Sequence, residues 1–123
     1  MGISIIICTY NSCESLKRCL TSLIKVIDKD VDYEILIVDN NSNDNTKDVV
    51  EEFKILNNKI TYNFYPVQGL AKARNYGVKM SSKEYLLFTD DDITFDENFL
   101  IAYYNLIKAK EPGLAGGRIA DSV

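Results

Sequence analysis

The chain has 123 residues, 46% of them hydrophobic and 26% charged, and a formal net charge of −4. That is the size of one domain or part of one, by the usual span of roughly 100–200 residues, with the composition of an ordinary globular protein. An acidic balance without a basic block argues against nucleic acid as a partner, and an anionic ligand would need a bridging cation or a few local Lys and Arg residues.

Strand and helix patterns alternate along the chain. Ile3–Cys8 is a largely β-branched run and predicts a strand buried on both faces. Asn11 and Ser12 suit a helix N-cap, and Leu16, Leu20, Leu23, Ile24 and Ile27 then repeat at helical spacing for about four turns. Glu34–Val38 predicts a second buried strand, which releases the loop-forming run Asp39–Asn45. A helix follows near Thr46, with Val49, Val50 and Phe53 inward. Ile60–Tyr65 alternates as a third strand, closed by Pro66.

Gly69–Met80 predicts a helix with Leu70, Ala73, Gly77 and Met80 on one stripe. Tyr85–Phe88 reads as a fourth strand, and Asp96 opens a helix carrying Phe99, Leu100, Tyr103, Leu106 and Ile107. Pro112-Gly113 ends that helix, and Leu114–Ile119 starts a further strand. The alternation predicts an α/β fold, a Rossmann-like and mainly parallel sheet with helices on both faces. With neither linker nor internal repeat, the chain reads as the front part of something longer.

Cys8, Cys13 and Cys19 lack any C-x-x-C spacing, and the chain contains no histidine. Most zinc sites and any Ser-His or Cys-His pairing are thereby excluded. Cys19 falls at helix-core spacing and is expected to be buried and reduced, which suits a reducing cytosol. The start lacks the pattern of a signal peptide, and no run approaches a membrane span. The expected setting is the cytoplasm, with a peripheral seat at the inner face of the membrane open to a longer form.

The fourth strand ends in Thr89-Asp90-Asp91-Asp92. Three adjacent carboxylates repel one another unless a cation lies among them. The carboxyl edge of an open α/β sheet is where ligands bind, and a divalent metal carrying a phosphorylated ligand suits such donors. A solvated acidic turn weighs about as much from this segment alone. The other strand ends shift the balance, because Thr9-Tyr10-Asn11, Asp39 and Gln68-Gly69 are predicted to share that edge. Tyr10 can stack on a base, and Asp39 can accept from a base N–H or a ribose hydroxyl. Lys72, Arg74 and the free N–H groups opening their helix add positive charge for a diphosphate. Neither G-x-G-x-x-G after the first strand nor G-x-x-x-x-G-K-[ST] occurs, which argues against dinucleotide binding and a P-loop.

Ile5–Ser12 resembles the opening strand of family-2 glycosyltransferases of the GT-A fold, and Leu36–Thr46 resembles their second signature. Gly69–Gly77 is similar to their G-x-x-x-A-R-N-x-G helix, Phe88–Asp92 to their metal-binding D-x-D segment, and Leu114–Ile119 to the strand beyond it. The second signature departs mildly, with Asn40 where a second aspartate is usual. The resemblance implies that residues 1–123 are a nucleotide-sugar-binding part without the acceptor-binding part. It implies that Thr9, Tyr10, Asn11 and Asp39 hold the nucleoside, with Asp39 on the base, and that Lys72, Arg74 and Asp90 lie near the base or diphosphate. Mn²⁺ or Mg²⁺ would be held by the acidic trio, with Asp91 the first choice of ligand, Asp90 the second, and Asp92 either a ligand or a cap.

The implied reaction is sugar transfer from a nucleotide-diphosphate donor, UDP-linked by family expectation, to a glycan, lipid-carrier or protein acceptor. Inversion is the family's commoner outcome, and its carboxylate base comes from a later segment. The chain by itself is therefore expected to bind donor nucleotide but to transfer sugar poorly or not at all. An exposed sheet edge would invite self-association.

Competing readings remain. Asp90-Asp91-Asp92-Ile93-Thr94 fits the D-x-D-x-[TV] nucleophile motif of haloacid-dehalogenase-type phosphatases, with Asp90 attacking and Asp92 as general acid. That motif belongs on a first strand, and the reading leaves the other signatures unexplained. A nucleotidyltransferase would carry a Gly-rich basic loop after the first strand, which Thr9–Cys13 is not. A non-catalytic nucleotide-binding fragment is the third alternative.

Overall fold

The computed structural model describes residues 1–110 and the backbone of 119–121. The elements run β1 (Gly2–Thr9), α1 (Cys13–Leu23), β2 (Asp32–Asp39), α2 (Thr46–Leu56), β3 (Ile60–Phe64), α3 (Leu70–Met80), β4 (Tyr85–Thr89), α4 (Phe99–Lys110) and β5 (Ile119–Asp121). The strands form one parallel sheet in the order β3-β2-β1-β4-β5. The α/β class, the parallel sheet and the helices on both faces are as the sequence predicts. The Pro112-Gly113 break and the Leu114 start of the last predicted strand lie outside the described residues.

Period-two alternation sorts the side chains of the central strands. Ile3, Ile5 and Ile7 of β1, Tyr33, Ile35 and Ile37 of β2, and Tyr85 and Leu87 of β4 face α1, α2 and α4. Ile6, Leu36 and Val38 face α3 through Ala73, with Cys8, Tyr65, Tyr76, Leu86 and Phe88 partly buried around them. Both faces of β1 are largely apolar because both are covered, as its hydrophobic run, interrupted only by Ser4, requires. Helix α3 lies close to the sheet at Gly77, where a Cβ would stand 2.6 Å from Ile6 Cγ2.

Four expected core positions are corrected. Helix α1 closes at Leu23 after about three turns of helix. Ile27 lies beyond it, 43% exposed, its N–H donating to the Glu97 carbonyl. Leu70, Met80 and Leu106 are also exposed, so α3 buries only Ala73 and Gly77 of its predicted stripe. The small residues let the helix approach the sheet, while Leu70 and Met80 at its two ends overhang it. Asp96 does not begin α4 directly. Its carboxylate accepts from the Asn98 N–H and its carbonyl from the Phe99 N–H, a turn that leads into the helix.

The amino edge of the sheet is held by structural polar contacts. Buried Ser4 donates to Glu34 at 2.6 Å, the Ser82 N–H donates to the same carboxylate oxygen at 2.7 Å, and Lys83 pairs with Asp32 at 2.9 Å. Desolvation opposes ionisation of Glu34, but the bonds from Ser4 and Ser82 prevail and hold its carboxyl below the ordinary value. The strand ends at the opposite edge carry the candidate site.

Candidate functional site

Where β1 runs out, Thr9 is buried and Tyr10 is 46% exposed. Asn11 follows at φ 48°, a left-handed conformation that asparagine tolerates better than most residues. That turn brings the first loop against the second. The Asn11 N–H donates to Ser42 Oγ at 2.8 Å, and Asn11 Oδ1 accepts from the Asn43 N–H at 2.7 Å. One oxygen of Asp44 accepts from the Cys13 N–H at 3.1 Å, while its other accepts from the Thr46 N–H at 3.1 Å and from the Thr46 hydroxyl. One carboxylate thus caps the starts of both α1 and α2. Desolvation opposes its charge, yet the Thr46 and Cys13 bonds hold Asp44 below the ordinary carboxylate value. Ser12 is the N-cap residue of α1, as expected, but its side chain turns away to donate to the Tyr10 carbonyl.

Asp39 and Asn40 leave β2 on opposite sides. Asp39 is buried, with Oδ1 accepting from the Ser42 N–H at 3.0 Å and Oδ2 from the Tyr62 hydroxyl at 2.5 Å. Burial and the neighbouring Asp39 carboxylate raise the Tyr62 phenol well above its ordinary value. Asn40, also buried, faces the α3 side and lines a cavity of about 230 Å³ with Cys8, Thr9, Tyr10, Gln68, Gly69, Leu70 and Ala73. Asp39, placed on the base by resemblance, is not among those lining residues. Its neighbour Asn40 is, because strand alternation turns the two side chains to opposite faces.

The acidic loop joins the cavity through Thr9, whose hydroxyl donates to Asp91 Oδ2 at 2.8 Å. Asp91 is half-buried, whereas Asp90 and Asp92 are exposed. Burial, followed by the charges of Asp92 and Asp90, raises the Asp91 carboxyl above its ordinary value despite the Thr9 bond. Cys8, on the cavity wall, is pushed up to about 11 by burial, with Arg74 opposing and Asp91 adding to the shift. Arg74 itself is exposed, its guanidinium 5.8 Å from the centre of the Phe88 ring. Lys72 is exposed in the first turn of α3.

Thr9 and Tyr10 are therefore brought together at the cavity, with Asp91 attached. Asn11 bonds to Ser42 and Asn43, Asp39 accepts from Ser42 and Tyr62, and Lys72 and Arg74 are exposed on α3. Among the described residues no three Cys, Asp or Glu side chains converge as a ready metal-binding set. The trio nonetheless suits a hard divalent cation, because its donors are carboxylate oxygens and Asp91 carries uncompensated like-charge repulsion that a cation would relieve. Cys19 is buried as expected, and all three cysteines are free.

The family model described as "Glycosyl transferase family 2" matches residues 4–122. The chain belongs to glycosyl transferase family 2. Among family members, the poly(ribitol-phosphate) beta-glucosyltransferase of Bacillus spizizenii is 31% identical over 121 residues, covering 97% of this chain and 19% of that protein. The poly(ribitol-phosphate) beta-N-acetylglucosaminyltransferase TarP of Staphylococcus aureus is 35% identical, covering 94% of this chain and 36% of its own length. The chain thus spans well under half of these curated relatives.

Among solved structures, S. aureus TarS 1-349 in complex with UDP-GlcNAc superposes with a TM-score of 0.81 at 28% identity, over 89% of this chain and 32% of that one. A mannosyltransferase from Pyrobaculum calidifontis, solved with GDP-Man and Mn²⁺, shares the fold at a TM-score of 0.74 and 22% identity. The GT-A architecture follows for this family-2 chain. The dehalogenase-type reading of Asp90 and Asp92 is not favoured, since the family-2 match spans all the signatures. Among the described residues no helix is long and apolar enough to cross a membrane.

Proposed function

We propose that this chain is the donor-binding part of a metal-dependent, inverting glycosyltransferase that takes a UDP-sugar. The observation that carries the reading is the Thr9–Asp91 hydrogen bond, which joins the cavity beside Tyr10 to the acidic loop. A nucleoside and a metal-bound diphosphate require such neighbouring compartments. The UDP and UDP-GlcNAc complexes of TarS support uridine as the base.

Tyr10 stacks on the base, Thr9 lines the nucleoside compartment, and Asn11 holds the turn that presents them. Asp39, its carboxylate fixed by the Ser42 N–H and the Tyr62 hydroxyl, accepts from the base. The free N–H groups at the start of α3, with Lys72 and Arg74, draw the phosphates. Asp91, with Asp90 and Asp92, would hold Mn²⁺ or Mg²⁺, whose Lewis acidity stabilises charge developing on the departing diphosphate. The bond from the anomeric carbon to the diphosphate breaks as an acceptor oxygen forms the new bond on the opposite face, with a carboxylate base taking the acceptor proton. That base is assigned to no residue of this chain. The names of TarP and the B. spizizenii relative support a hydroxyl-bearing polymer as acceptor.

Thermal unfolding with UDP, GDP, dTDP and UDP-sugars, each with Mn²⁺ or EDTA, tests the proposal. A specific ligand at a hundred times its Kd adds about 2.7 kcal/mol of stability. UDP compounds with Mn²⁺ should raise Tm, and Asp91→Asn should lose most of the metal-dependent part. No shift with any nucleoside diphosphate overturns the reading.

A further inference from the structure

Gln68 and Gly69, which line the cavity together with Tyr10, end the strap of residues 65–69 that links β3 to α3 without regular structure. Apart from Tyr65, which stacks on Tyr76 at 4.8 Å between ring centroids, these residues are exposed. Little apolar packing therefore holds the strap over the end of β2, and its position depends on polar contacts.

Most of those contacts come from one amide. Asn40 Nδ2 donates to the Tyr65 carbonyl at 3.1 Å and to the Val67 carbonyl at 2.9 Å. Its Oδ1 accepts from the Gly69 N–H at 3.0 Å, and its own N–H donates to the Thr9 carbonyl at 2.9 Å. Asn40 is only 6% exposed, so water cannot replace these bonds readily. Gly69 is the residue from which α3 departs. It sits at φ 142°, a conformation that side chains rarely adopt, and its carbonyl accepts from the Ala73 N–H. Asn40 therefore ties three segments to one point, its backbone N–H holding the first strand end and its side-chain amide the strap and the start of α3. The outlying contacts are weaker or peripheral: Asn41 Nδ2 reaches the Pro66 carbonyl at 3.3 Å, and the Tyr65 N–H donates to the Asp39 carbonyl.

We infer that Asn40 is the positioning residue of the nucleotide cavity: its amide latches the 65–69 strap and fixes where α3 begins, and so sets the distance between Tyr10 and the helix N-terminus. The inference rests on the reading of the cavity as a nucleoside site. Asn40→Ala would remove all three side-chain bonds at once and leave the Gly69 N–H and the Tyr65 and Val67 carbonyls without that partner. The strap would lift, and the wall of the cavity would go with it.

The experiment compares wild type, Asn40→Ala and Glu34→Gln, the last of which weakens the opposite sheet edge without touching the latch. UDP affinity with Mn²⁺ is measured by calorimetry, and amide hydrogen exchange is followed residue by residue. Asn40→Ala should raise the Kd for UDP at least tenfold and speed exchange within residues 65–70, while Glu34→Gln leaves both unchanged. Equal UDP affinity in wild type and Asn40→Ala, with unaltered exchange in the strap, overturns the inference. Affinity that falls alike in both variants, in step with global stability, overturns it too. If Asn40→Ala does not fold, protection of the Gly69 amide in wild type decides: an unprotected amide rules out the latch. Should wild type bind no nucleoside diphosphate, the functional reading fails, and the latch stands or falls on exchange alone.

Discussion

Tyr10 offers the most direct residue-level test of the nucleoside reading. Its ring is 46% exposed and belongs to neither core cluster, so truncation should leave the fold intact. Stacking of a base on an aromatic side chain contributes roughly 1–3 kcal/mol. Tyr10→Ala should therefore weaken UDP binding about tenfold or more with Tm of the free chain unchanged, as fluorescence titration and thermal melts would show. Equal affinity would place the base elsewhere. The sequence made Tyr10 and Thr9 visible because they end a strand. It did not show that Asn40 lines the cavity. Asp39 and Asn40 are both polar residues in one loop-forming run, and only their opposite orientation after β2 separates their partners.

At the scale of elements, α3 depends on Gly77. A Cβ there would meet Ile6 Cγ2 at 2.6 Å and Val38 Cγ2 at 3.3 Å, both on β-branched side chains of the two central strands. Alanine improves helix propensity by about 1 kcal/mol over glycine, whereas overpacking costs about 1–3 kcal/mol. The clash should win or at best be cancelled. Gly77→Ala is predicted to destabilise the chain by up to about 2 kcal/mol, read as a lower urea midpoint with unchanged slope. Strands and helices were legible here because β1 and β2 are largely apolar runs and the helices keep their spacing. Helix ends were less legible. Ile27 continues the period of α1, yet its N–H is taken by Glu97, a partner distant in sequence. Leu70 and Met80 continue the period of α3, but the helix contacts the sheet only through its middle.

For the molecule as a whole, stability should depend on acid through Glu34 and Asp44. Both carboxyls lie below their ordinary values of 4.5 and 3.8 because hydrogen bonds outweigh desolvation. As pH falls through those values the unfolded chain takes up protons first, so the stability they lend is full above them and is lost through their lower folded values. A Glu34→Gln, Asp44→Asn double variant should lie below wild type near pH 7 and converge toward it at low pH, measured by urea unfolding from pH 7 to 3. A constant gap across that range would mean that neither carboxylate is linked to folding. The two groups sit at opposite edges of the sheet, one under the amino ends of the strands and one beside the site, so their effects should add.

The loops after β1 and β2 are fastened together by Asn11, Ser42, Asn43 and Asp44 without help from a ligand. The conformational freedom of the segment that carries Tyr10 is therefore given up during folding and need not be given up again on contact with a nucleotide. Half of the cavity is rigid scaffold by this reasoning, and the half beyond it is hinged on a single amide. Any slow adjustment during association should arise on the Gln68 side, while the Tyr10 side receives the base as a finished surface.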